Sequence, residues 1–583
     1  MGGSGKTTIA RFVYDSNFLR YERRIFLANI AEMSKQPNGI ISIQRQLLED
    51  IKGREERVNN IYEGISKIKN ALQCRRILLV LDDIDAIDQL EAIVGVRNWL
   101  HPGSKIIITT RYEQLIRAHN VKVYKTQMLN FEESLELFSW HAFKQNYPNE
   151  EYEEISKRVI AHCGGLPLAI KILSFALVGR SKDVWKSQLE KLETIPDNQI
   201  LAKLKISYDY LDYCDKEIFL HIACFFVGKD ADYVVSILDG CDLHAKVGLQ
   251  NLIDRYLLTI EECVDWKTRR KRKELKMHNL IQKMGRDIVR QESPQELGRR
   301  SRIWDHNSSS YILREKIGTN QIEGLIYNIN ILSRADYGGS KPFLYRTLNP
   351  LKKFALNIFP SYLIGVNSRN SNEESLKTDA FTKMHNLKLL QLNYVQLSGS
   401  YERFPKRLRW LCWRGFPLPS IPNDFLLERL VILEMLESNL KNVWNGTKNL
   451  QCLKILDVSS SKSLTCTPNF SFVTRLEILL LENCTSLVEI HESIGLLKRL
   501  DFLNLRNCNS LSYLPRSIGR LRSLKTLDIS GCSNLEELPT EMMNMKSLKE
   551  LHANGMVKLW NPYLEPRQSS KFSCRSFPQF WYT

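Results

Sequence analysis

The residues of this chain whose types and spacing could do chemistry begin at its first positions. Residues 2–8 are Gly-Gly-Ser-Gly-Lys-Thr-Thr, which matches the second half of the phosphate-binding consensus G-x-x-x-x-G-K-[ST]. In this consensus the glycines let backbone N–H groups curl around phosphate, Lys6 neutralises its charge and the Thr7 hydroxyl reaches Mg²⁺. The first glycine of the consensus would fall directly before Met1. The match predicts a nucleotide phosphate site, with coincidence as the alternative.

A strand that ends in two carboxylates is the expected partner of such a loop. Residues 76–85 are Arg-Ile-Leu-Leu-Val-Leu-Asp-Asp-Ile-Asp, a continuous apolar run that is typical of a parallel strand buried on both faces. We expect Asp82 to hold Mg²⁺ through its water shell and Asp83, the candidate catalytic residue, to orient or activate a water. A buried strand followed by an acidic turn is the alternative.

A third strand and the helices between the strands complete the expected scaffold. Residues 103–111 are Gly-Ser-Lys-Ile-Ile-Ile-Thr-Thr-Arg, so Arg111 would lie at a strand's carboxyl end, where open α/β sheets bind ligands. We expect Arg111 to contact the terminal phosphate, with a structural role as the alternative. The strands alternate with helical stretches over 43–52 and 65–72, which is typical of a doubly wound α/β domain.

Length and composition place the chain among multidomain globular proteins. Its 583 residues exceed one core and suggest roughly three or four domains. A hydrophobic fraction of 43% with 25% charged residues excludes disordered and fibrous classes. The net charge of +17 is spread along the chain except for the run Lys-Thr-Arg-Arg-Lys-Arg-Lys at 267–273. We expect a solvated basic loop there, with nuclear targeting or phosphate contacts as alternatives, and we do not expect nucleic acid as a partner.

The cysteines and the lack of long apolar runs indicate where the protein functions. The thirteen cysteines include no C-x-x-C pair, which favours reduced, intracellular chemistry. No apolar run approaches the roughly 18 residues that span a bilayer, and the N-terminus does not resemble a signal peptide. We therefore expect a cytoplasmic protein without a membrane partner, with the nucleus as the alternative location.

The C-terminal half contains an internal repeat. Residues 500–511, Leu-Asp-Phe-Leu-Asn-Leu-Arg-Asn-Cys-Asn-Ser-Leu, fit the pattern L-x-x-L-x-L-x-x-[NC]-x-L. Repeats spaced by 21 to 24 residues start at Leu387, Leu408, Leu430, Leu453, Leu476, Leu500, Leu524 and Leu548. This predicts a leucine-rich-repeat solenoid of about eight turns.

Particular repeat positions carry further expectations. Cys484, Cys508 and Cys532 share one position, where they would satisfy backbone groups inside the turns, and Ser461 and Met556 depart from the template there. Strand positions facing the concave side, such as Asn504, Arg506 and Asp528, are of the kind that contacts partners, but for any one of them we expect a solvated face. Outside the repeats, residues 200–300 are expected to form a mostly helical module, with helices over 201–208 and 216–227. We expect His221 and Cys224 to pack in the core of this module instead of binding a metal.

Six motifs in order resemble those of plant NB-ARC immune receptors, in particular the subclass whose complete members begin with a TIR domain. The motifs are Gly2-Gly-Ser-Gly-Lys-Thr-Thr8, Leu79-Val-Leu-Asp-Asp-Ile-Asp85, Gly103-Ser-Lys-Ile-Ile-Ile-Thr-Thr-Arg111, Leu137-Phe-Ser-Trp-His-Ala-Phe143, Gly165-Leu-Pro-Leu-Ala169 and Phe219-Leu-His-Ile-Ala-Cys-Phe-Phe226. The resemblance implies a multidomain protein: an α/β P-loop NTPase of the STAND type with helical and winged-helix modules, followed by an α/β leucine-rich-repeat solenoid.

On this resemblance the chain divides into six regions. The expected regions are a P-loop domain lacking its first strand (1–145), a helical module (146–198), a winged-helix module (199–304), an irregular linker (305–380), the repeats (381–560) and a non-repeat tail (561–583). The TIR domain is expected to be absent, with one truncated end inside the phosphate loop and a second in the tail.

The resemblance also assigns roles to residues at the expected ADP/ATP site. Nucleotide-binding positions would be Gly3, Gly5, Lys6, Thr7, Thr8, Arg111, Pro167 and His278, with Thr7 and Asp82 at Mg²⁺ and Asp83 catalytic. Pro167 would pack near the adenine, although the residues alone indicate a plain helix break. His278 would touch ADP and hold the closed state. Asn279 stands where the family has Asp, so we expect a weaker latch.

The implied function is an intracellular plant disease-resistance receptor that is closed with ADP and oligomeric with ATP. Hydrolysis would be slow at most, and the NAD-cleaving activity of complete members would lie in the TIR domain. The repeats would bind a pathogen effector or a guarded host protein. The alternatives are a nucleotide-incompetent fragment that acts as a repeat-borne binding or regulatory module, and a P-loop ATPase that does mechanical work.

Overall fold

A computed structural model describes residues 2–17, 19–93, 100–113, 115, 121–194, 197–264, 271–329 and 376–555. The chain forms two compact units, one of residues 1–235 and 243–288 and one of residues 236–242 and 289–583. Several sequence-based expectations lie outside the described residues: those for 267–270 of the basic run, for Met556 and for the tail 561–583.

The first unit is built on a three-stranded parallel sheet with the order β1-β2-β3. The strands are β1 (Arg23–Leu27), β2 (Ile77–Ile84) and β3 (Lys105–Thr110). Central strand β2 is buried along nearly its whole length, which confirms the strand predicted from its continuous apolar run. Val80 pairs with Phe26 on one side and with Ile107 on the other, so the carboxyl ends of all three strands lie at one edge.

Helices connect these strands and cover the sheet. They are α1 (Lys6–Ser16), α2 (Ile30–Met33), α3 (Gly39–Lys52), α4 (Ile61–Gln73) and α5 (Ile87–Ile93). Helix α3 buries Ile43, Leu47 and Ile51 at a spacing of four residues, so its apolar stripe faces the core. The Asn60 side chain caps α4 by accepting a hydrogen bond from the Glu63 N–H. The predicted helices over 43–52 and 65–72 are confirmed.

A helical bundle follows, organised around one tryptophan. Its helices are α6 (Phe131–Phe143), α7 (Glu153–Cys163), α8 (Pro167–Leu177) and α9 (Lys182–Thr194), with a 3₁₀ turn at Glu150–Tyr152. The Trp185 ring lies 5.8 Å from those of Phe138 and Phe143 and 4.8 Å from that of Tyr152. Helix α6 thus packs with the helices of 146–198, although the predicted boundary after 145 separates them.

Residues 198–292 form a mostly helical module, as expected, together with a β-hairpin. The elements are α10 (Asn198–Asp209), α11 (Tyr213–His221), a π-helical turn (Ile222–Phe226), α12 (Ala231–Asp239), α13 (Ala245–Asp254), β4 (Thr259–Val264), β5 (Lys271–Lys276) and α14 (Asn279–Glu292). The helix predicted over 201–208 is confirmed, whereas the one predicted over 216–227 changes to the π-helical turn after His221. His221 and Cys224 are buried, as expected for core packing, and no described helix is long and apolar enough to cross a bilayer.

The second unit contains a ten-stranded parallel sheet. Its strands are β6 (Arg302–Ile303), β7 (Gly324–Asn328), β9 (Leu389–Asn393), β11 (Trp410–Arg414), β12 (Ile432–Glu434), β13 (Ile455–Asp457), β14 (Ile478–Leu480), β15 (Phe502–Asn504), β16 (Thr526–Asp528) and β17 (Glu550–His552). Each of the eight predicted repeat starts is followed two residues later by a strand, so the repeat prediction is confirmed.

Short elements complete this unit. They are helix α15 (His306–Arg314), the strand pair β8 (Leu376–Lys377) and β10 (Leu397–Ser398), and 3₁₀ turns at Leu297–Arg299, Thr378–Phe381, Glu492–Leu496, Arg516–Arg520 and Thr540–Asn544. The 3₁₀ turns take the place that a longer helix occupies in other α/β repeats, because few residues separate successive strands.

Two expectations about this unit are wrong. Within residues 305–329, the part of the predicted irregular linker 305–380 that precedes the undescribed residues 330–375, the chain forms α15 and strand β7, and β7 pairs in parallel with β9. Ile322, Leu325 and Tyr327 are buried at the repeat's leucine positions, and the pattern was missed because Ile and Tyr replace leucine there. Asn504 is only 2% exposed and accepts a hydrogen bond from the Arg506 N–H at 2.9 Å, so it does not form part of an open binding face.

The cysteine positions of the repeats bridge neighbouring turns. The thiols of Cys484, Cys508 and Cys532 donate to the carbonyls of Val458, Leu481 and Leu505 at 3.4, 3.2 and 3.1 Å. The hydroxyl of Ser461 donates to the Met435 carbonyl at 3.3 Å in the same way. Each side chain therefore satisfies a carbonyl of the preceding turn rather than of its own turn, and Ser461 preserves this contact although it departs from the repeat template.

Because these thiols are buried donors, we expect them to resist alkylation in the folded protein. Burial raises the pKa of Cys484 to about 12 and that of Cys532 to about 11, which removes the reactive thiolate at pH 8. Iodoacetamide should modify Cys484, Cys508 and Cys532 roughly a hundredfold more slowly than the exposed Cys74, as measured by peptide mass spectrometry. Equal rates in the native protein would contradict the buried hydrogen bonds of these three cysteines, and denatured protein is the control.

Candidate functional site

The loop before helix α1 has the backbone geometry of an anion site. Gly3 and Gly5 have φ angles of 76° and 87°, a left-handed conformation that residues with a Cβ rarely adopt. Gly5 is the N-cap of the eleven-residue helix α1 and makes no side-chain cap, and a Cβ placed on it would meet nothing within 4 Å. The space beside Gly5 at the amino end of α1 is therefore open, and the amino end of a helix suits an anion.

Lys6 supplies positive charge beside this opening. Its ammonium donates to the Ser4 hydroxyl at 3.4 Å, and that hydroxyl lies 3.0 Å from the hydroxyl of Thr126. Burial, reinforced by the nearby Arg111, lowers the pKa of Lys6 to about 8, although Asp82 and Asp83 oppose this shift. A partly desolvated cation of this kind gains from a phosphate, which restores the lost solvation.

The buried carboxylate of Asp82 joins three elements of the domain. Asp82 is 1% exposed, and its Oδ1 accepts hydrogen bonds from the hydroxyls of Thr7 on α1 at 2.8 Å and Thr109 on β3 at 2.7 Å. Mg²⁺ prefers oxygen ligands, and a hydroxyl next to a carboxylate provides them. The two predicted metal residues, Thr7 and Asp82, are therefore adjacent, and their chemistry fits this ion.

Asp83 and Arg111 form a two-point ion pair at the same edge of the sheet. The Arg111 Nε and Nη2 atoms lie 3.0 and 3.3 Å from the Asp83 Oδ1 and Oδ2 atoms. Asp83 has a φ of 60°, and its N–H donates to the Thr109 hydroxyl at 2.9 Å. Both carboxylate oxygens of Asp83 thus serve to hold the guanidinium.

The third guanidinium nitrogen of Arg111, Nη1, is available to bind a ligand. Among the described residues the buried Nη1 has no hydrogen-bond partner, and it lies 3.8 Å from where a Cβ on Gly2 would be. A buried donor without an acceptor costs roughly 1–3 kcal/mol. A phosphate oxygen in the loop would satisfy it, so the residues present fit a nucleotide phosphate group.

The remaining predicted residues lie at different distances from this centre. Thr8 is exposed on the first turn of α1. Pro167 is the first residue of α8, and the next N–H, of Leu168, donates to the Gly3 carbonyl at 3.2 Å. The Nε2 atom of His278 lies 2.9 Å from the Gly164 carbonyl, so it contacts the turn before α8 and not the loop itself.

Sequence reasoning missed three residues that support the loop. Thr109 could have been found from the parallel register, because a strand residue beside Asp82 must face its carboxylate. Thr126 lies in a stretch without regular structure and gave no signal. Leu168 was passed over because its apolar side chain suggested only packing, whereas a Cβ on Gly3 would lie 2.7 Å from it.

Three family models match parts of the chain. They describe an NB-ARC domain at residues 1–147, the winged-helix domain of Roq1-like disease resistance proteins at 212–293 and a leucine-rich repeat region at 457–565. These matches confirm the predicted fold class of a P-loop NTPase domain, a winged-helix module and a repeat solenoid. An NB-ARC domain implies nucleotide binding, in agreement with the site described above.

Curated plant proteins are similar over most of the chain. Disease resistance proteins RPV1 and RUN1 of Vitis rotundifolia are 40% and 38% identical over 85% of the chain, covering 34% and 36% of their own lengths. The TMV resistance protein N of Nicotiana glutinosa is 33% identical over 85% of the chain and 39% of its own length. The chain therefore spans about a third of these relatives.

The lowered pKa of Lys6 predicts how nucleotide affinity depends on pH. Below pH 8 Lys6 is protonated whether or not phosphate is bound, so the affinity for ADP should not depend on pH. Above pH 8 the lysine without phosphate loses its proton while phosphate keeps it protonated, so affinity should fall by up to about tenfold per pH unit.

Calorimetric titration of ADP between pH 7 and 9.5 measures this dependence. The control is Lys6→Arg, whose guanidinium stays charged throughout the range and should give no such decline. A wild-type affinity that is constant to pH 9.5 would contradict the assigned position of Lys6.

Proposed function

Because this chain belongs to the NB-ARC leucine-rich-repeat family of plant disease resistance proteins, we propose that it acts as an ADP/ATP-dependent switch of an intracellular immune receptor. The observation that carries the proposal is the buried Nη1 of Arg111, a donor without an acceptor beside the phosphate loop. A phosphate oxygen bound in the loop would accept a hydrogen bond from this donor.

The proposed roles follow from the positions of the side chains. Gly3, Gly5 and the first N–H groups of α1 surround the phosphates, Lys6 neutralises them, and Thr7 with Asp82 would hold Mg²⁺. Bound Mg²⁺ supplies charge neutralisation at the phosphate oxygens. Thr8 would provide a second hydroxyl next to that of Thr7 for the phosphates. Pro167 would offer a rigid apolar surface for the adenine.

Asp83 is the proposed catalytic residue, and its contacts explain why hydrolysis would be slow at most. Both of its carboxylate oxygens are engaged by Arg111, so Asp83 orients a water only when this pair rearranges. Because this ion pair must break before ATP is hydrolysed, the ATP-bound state would be long-lived. This behaviour suits a switch better than an enzyme that turns over a metabolite.

The partners and the location of the protein are also proposals. The repeats would bind a pathogen effector or a guarded host protein, with Asp528 at the end of β16 and Arg506 in the turn after β15 as partly exposed candidates. Self-association would accompany the ATP state. A cytoplasmic location, with the nucleus as the alternative, is proposed from the pattern of cysteines, and neither membrane nor nucleic acid is a proposed partner.

The test is the nucleotide content and affinity of the whole chain. We expect purified protein to release ADP on denaturation and Lys6→Ala to bind ADP at least tenfold more weakly, because it lacks a charge-assisted contact worth about 1.5–3 kcal/mol. Arg20→Ala, which removes an exposed positive charge elsewhere, is the matched control and should bind normally.

The opposite result would support the alternative function. If wild type and Lys6→Ala both lack nucleotide and bind ADP equally and negligibly, the switch proposal fails for this chain. A binding or regulatory module carried by the repeats would then be the remaining function. A Lys6→Ala variant that retains wild-type affinity would equally contradict the proposed role of the loop.

A further inference from the structure

One edge of the repeat sheet is strongly basic. This surface, the amino edge, consists of the two residues before and the one residue after each of the eight leucines that start a repeat. We propose that the amino edge binds an acidic segment of a protein partner, an extended run rich in aspartate and glutamate. A protein partner of the repeats belongs to the proposed function, on which this inference therefore rests, and the inference adds the chemistry of that partner and the side of the solenoid that it contacts.

The amino edge is one continuous surface because the repeat strands are parallel. Each repeat strand begins two residues after the leucine of its repeat, and neighbouring strands pair in register, as Ile478 does with Phe502 and Phe502 with Thr526. Residues that precede the strands therefore lie side by side, about 4.8 Å apart from turn to turn. This spacing is shorter than the screening length of about 8 Å at physiological salt, so the fields of their charges add.

The charge of the amino edge differs from that of the opposite edge. Its 24 positions hold thirteen lysine or arginine residues against three acidic ones, which are Glu428, Glu477 and Asp501. At the carboxyl ends of the strands, the fourth, sixth and seventh residues after the same leucines include five acidic and two basic residues. The repeat thus collects on one edge positive charges that are spread along the sequence, and the two edges of the solenoid have opposite sign.

The first turns show what the amino edge binds. Asp242 lies outside the sheet but in the same compact unit, and its Oδ2 atom lies 4.0 Å from the Nη2 atom of Arg409 on the edge. The residues before Asp242 pack closely on the next turn, since a Cβ on Gly240 would lie 2.6 Å from the Val431 Cγ2 atom. A protein segment that carries a carboxylate therefore already contacts the start of this edge.

The later turns continue the amino edge with exposed cations. Lys525 pairs with Asp501 at 3.2 Å, which shows that a carboxylate within reach is bound here. Six other cations of these turns are exposed and have no ion-pair partner within the part of the chain that the structure describes. They are Arg475, Lys498, Arg499, Arg522, Lys546 and Lys549. Like charges at this spacing repel one another, and a bound polyanion removes that repulsion.

The spacing of the turns defines the length of the acidic segment. The four turns that start at Leu476, Leu500, Leu524 and Leu548 span about 15 Å, which an extended chain covers with about five residues. Carboxylates pair with arginine through two parallel hydrogen bonds and with lysine through a point charge. A segment with three or more carboxylates in this length would therefore neutralise the exposed cations of all four turns.

The side chains of the amino edge favour a protein segment over a nucleic acid. Its 24 positions include no phenylalanine, tyrosine or tryptophan, whereas sites for single-stranded nucleic acid combine cations with aromatic side chains on which bases stack. Proteins that read duplex DNA place a helix or a β-ribbon in a groove, and the amino edge consists of turns. Nucleic acid is therefore the competing ligand in the test.

The test measures binding of a fluorescent ten-residue peptide with six glutamates to the full chain by anisotropy, and the same peptide with glutamines is the ligand control. The edge variant combines Arg499→Gln with Lys546→Gln. Its matched control combines Arg403→Gln with Lys441→Gln, which removes two exposed cations of the same unit outside the amino edge. We expect the edge variant to bind the glutamate peptide about fivefold more weakly, and the control variant to bind it as wild type does.

Four results would contradict the proposal or its terms. No binding of the glutamate peptide, equal binding of the glutamine peptide, or equal losses in the two variants would overturn the amino edge as the site. Tighter binding of duplex DNA or single-stranded RNA, weakened in the edge variant, would overturn the protein partner in favour of nucleic acid. The measurement needs no nucleotide, so a chain that binds the peptide but contains no ADP would overturn the switch while the amino edge stands.

Discussion

The proposed nucleotide site depends on one buried carboxylate, that of Asp82. A charge at 1% exposure is stable in a protein only when hydrogen bonds replace its hydration. Here the hydroxyls of Thr7 and Thr109 provide them, and in doing so they fix helix α1 against the ends of strands β2 and β3. The Thr109 hydroxyl also receives the N–H of Asp83. The same few bonds that solvate Asp82 thus orient the ion pair of Asp83 with Arg111.

From this centre the contacts extend through backbone groups. The Gly3 carbonyl binds the first turn of α8, the turn before α8 ends α7, and the Asn279 amide of α14 donates to the His162 carbonyl at that end. Each step uses hydrogen bonds of N–H and C=O groups that a helix terminus leaves unsatisfied. Helix ends therefore act twice in this unit, as an anion site at the start of α1 and as a docking point at the end of α7.

The sequence was sufficient where a pattern has one physical explanation. A continuous apolar run that ends in two carboxylates predicted β2 and the site of Asp82, and leucine periodicity predicted the strands of eight repeats. It failed where spacing or chemistry depends on distant partners. Strand β7 was hidden by Tyr327 at a leucine position, the support of Ser4 by Thr126 has no local signature, and the donor role of Asn279 follows only from the nearness of α7.

The central claim is that the Nη1 atom of Arg111 is left for a phosphate oxygen while Asp83 holds the rest of the guanidinium. Calorimetric binding of ADP to Arg111→Lys tests this most directly, because lysine keeps the charge and can pair with Asp83 but cannot present a second donor in the same plane. The account predicts an ADP affinity reduced about tenfold with an unchanged thermal unfolding midpoint. An affinity equal to that of wild type would contradict it.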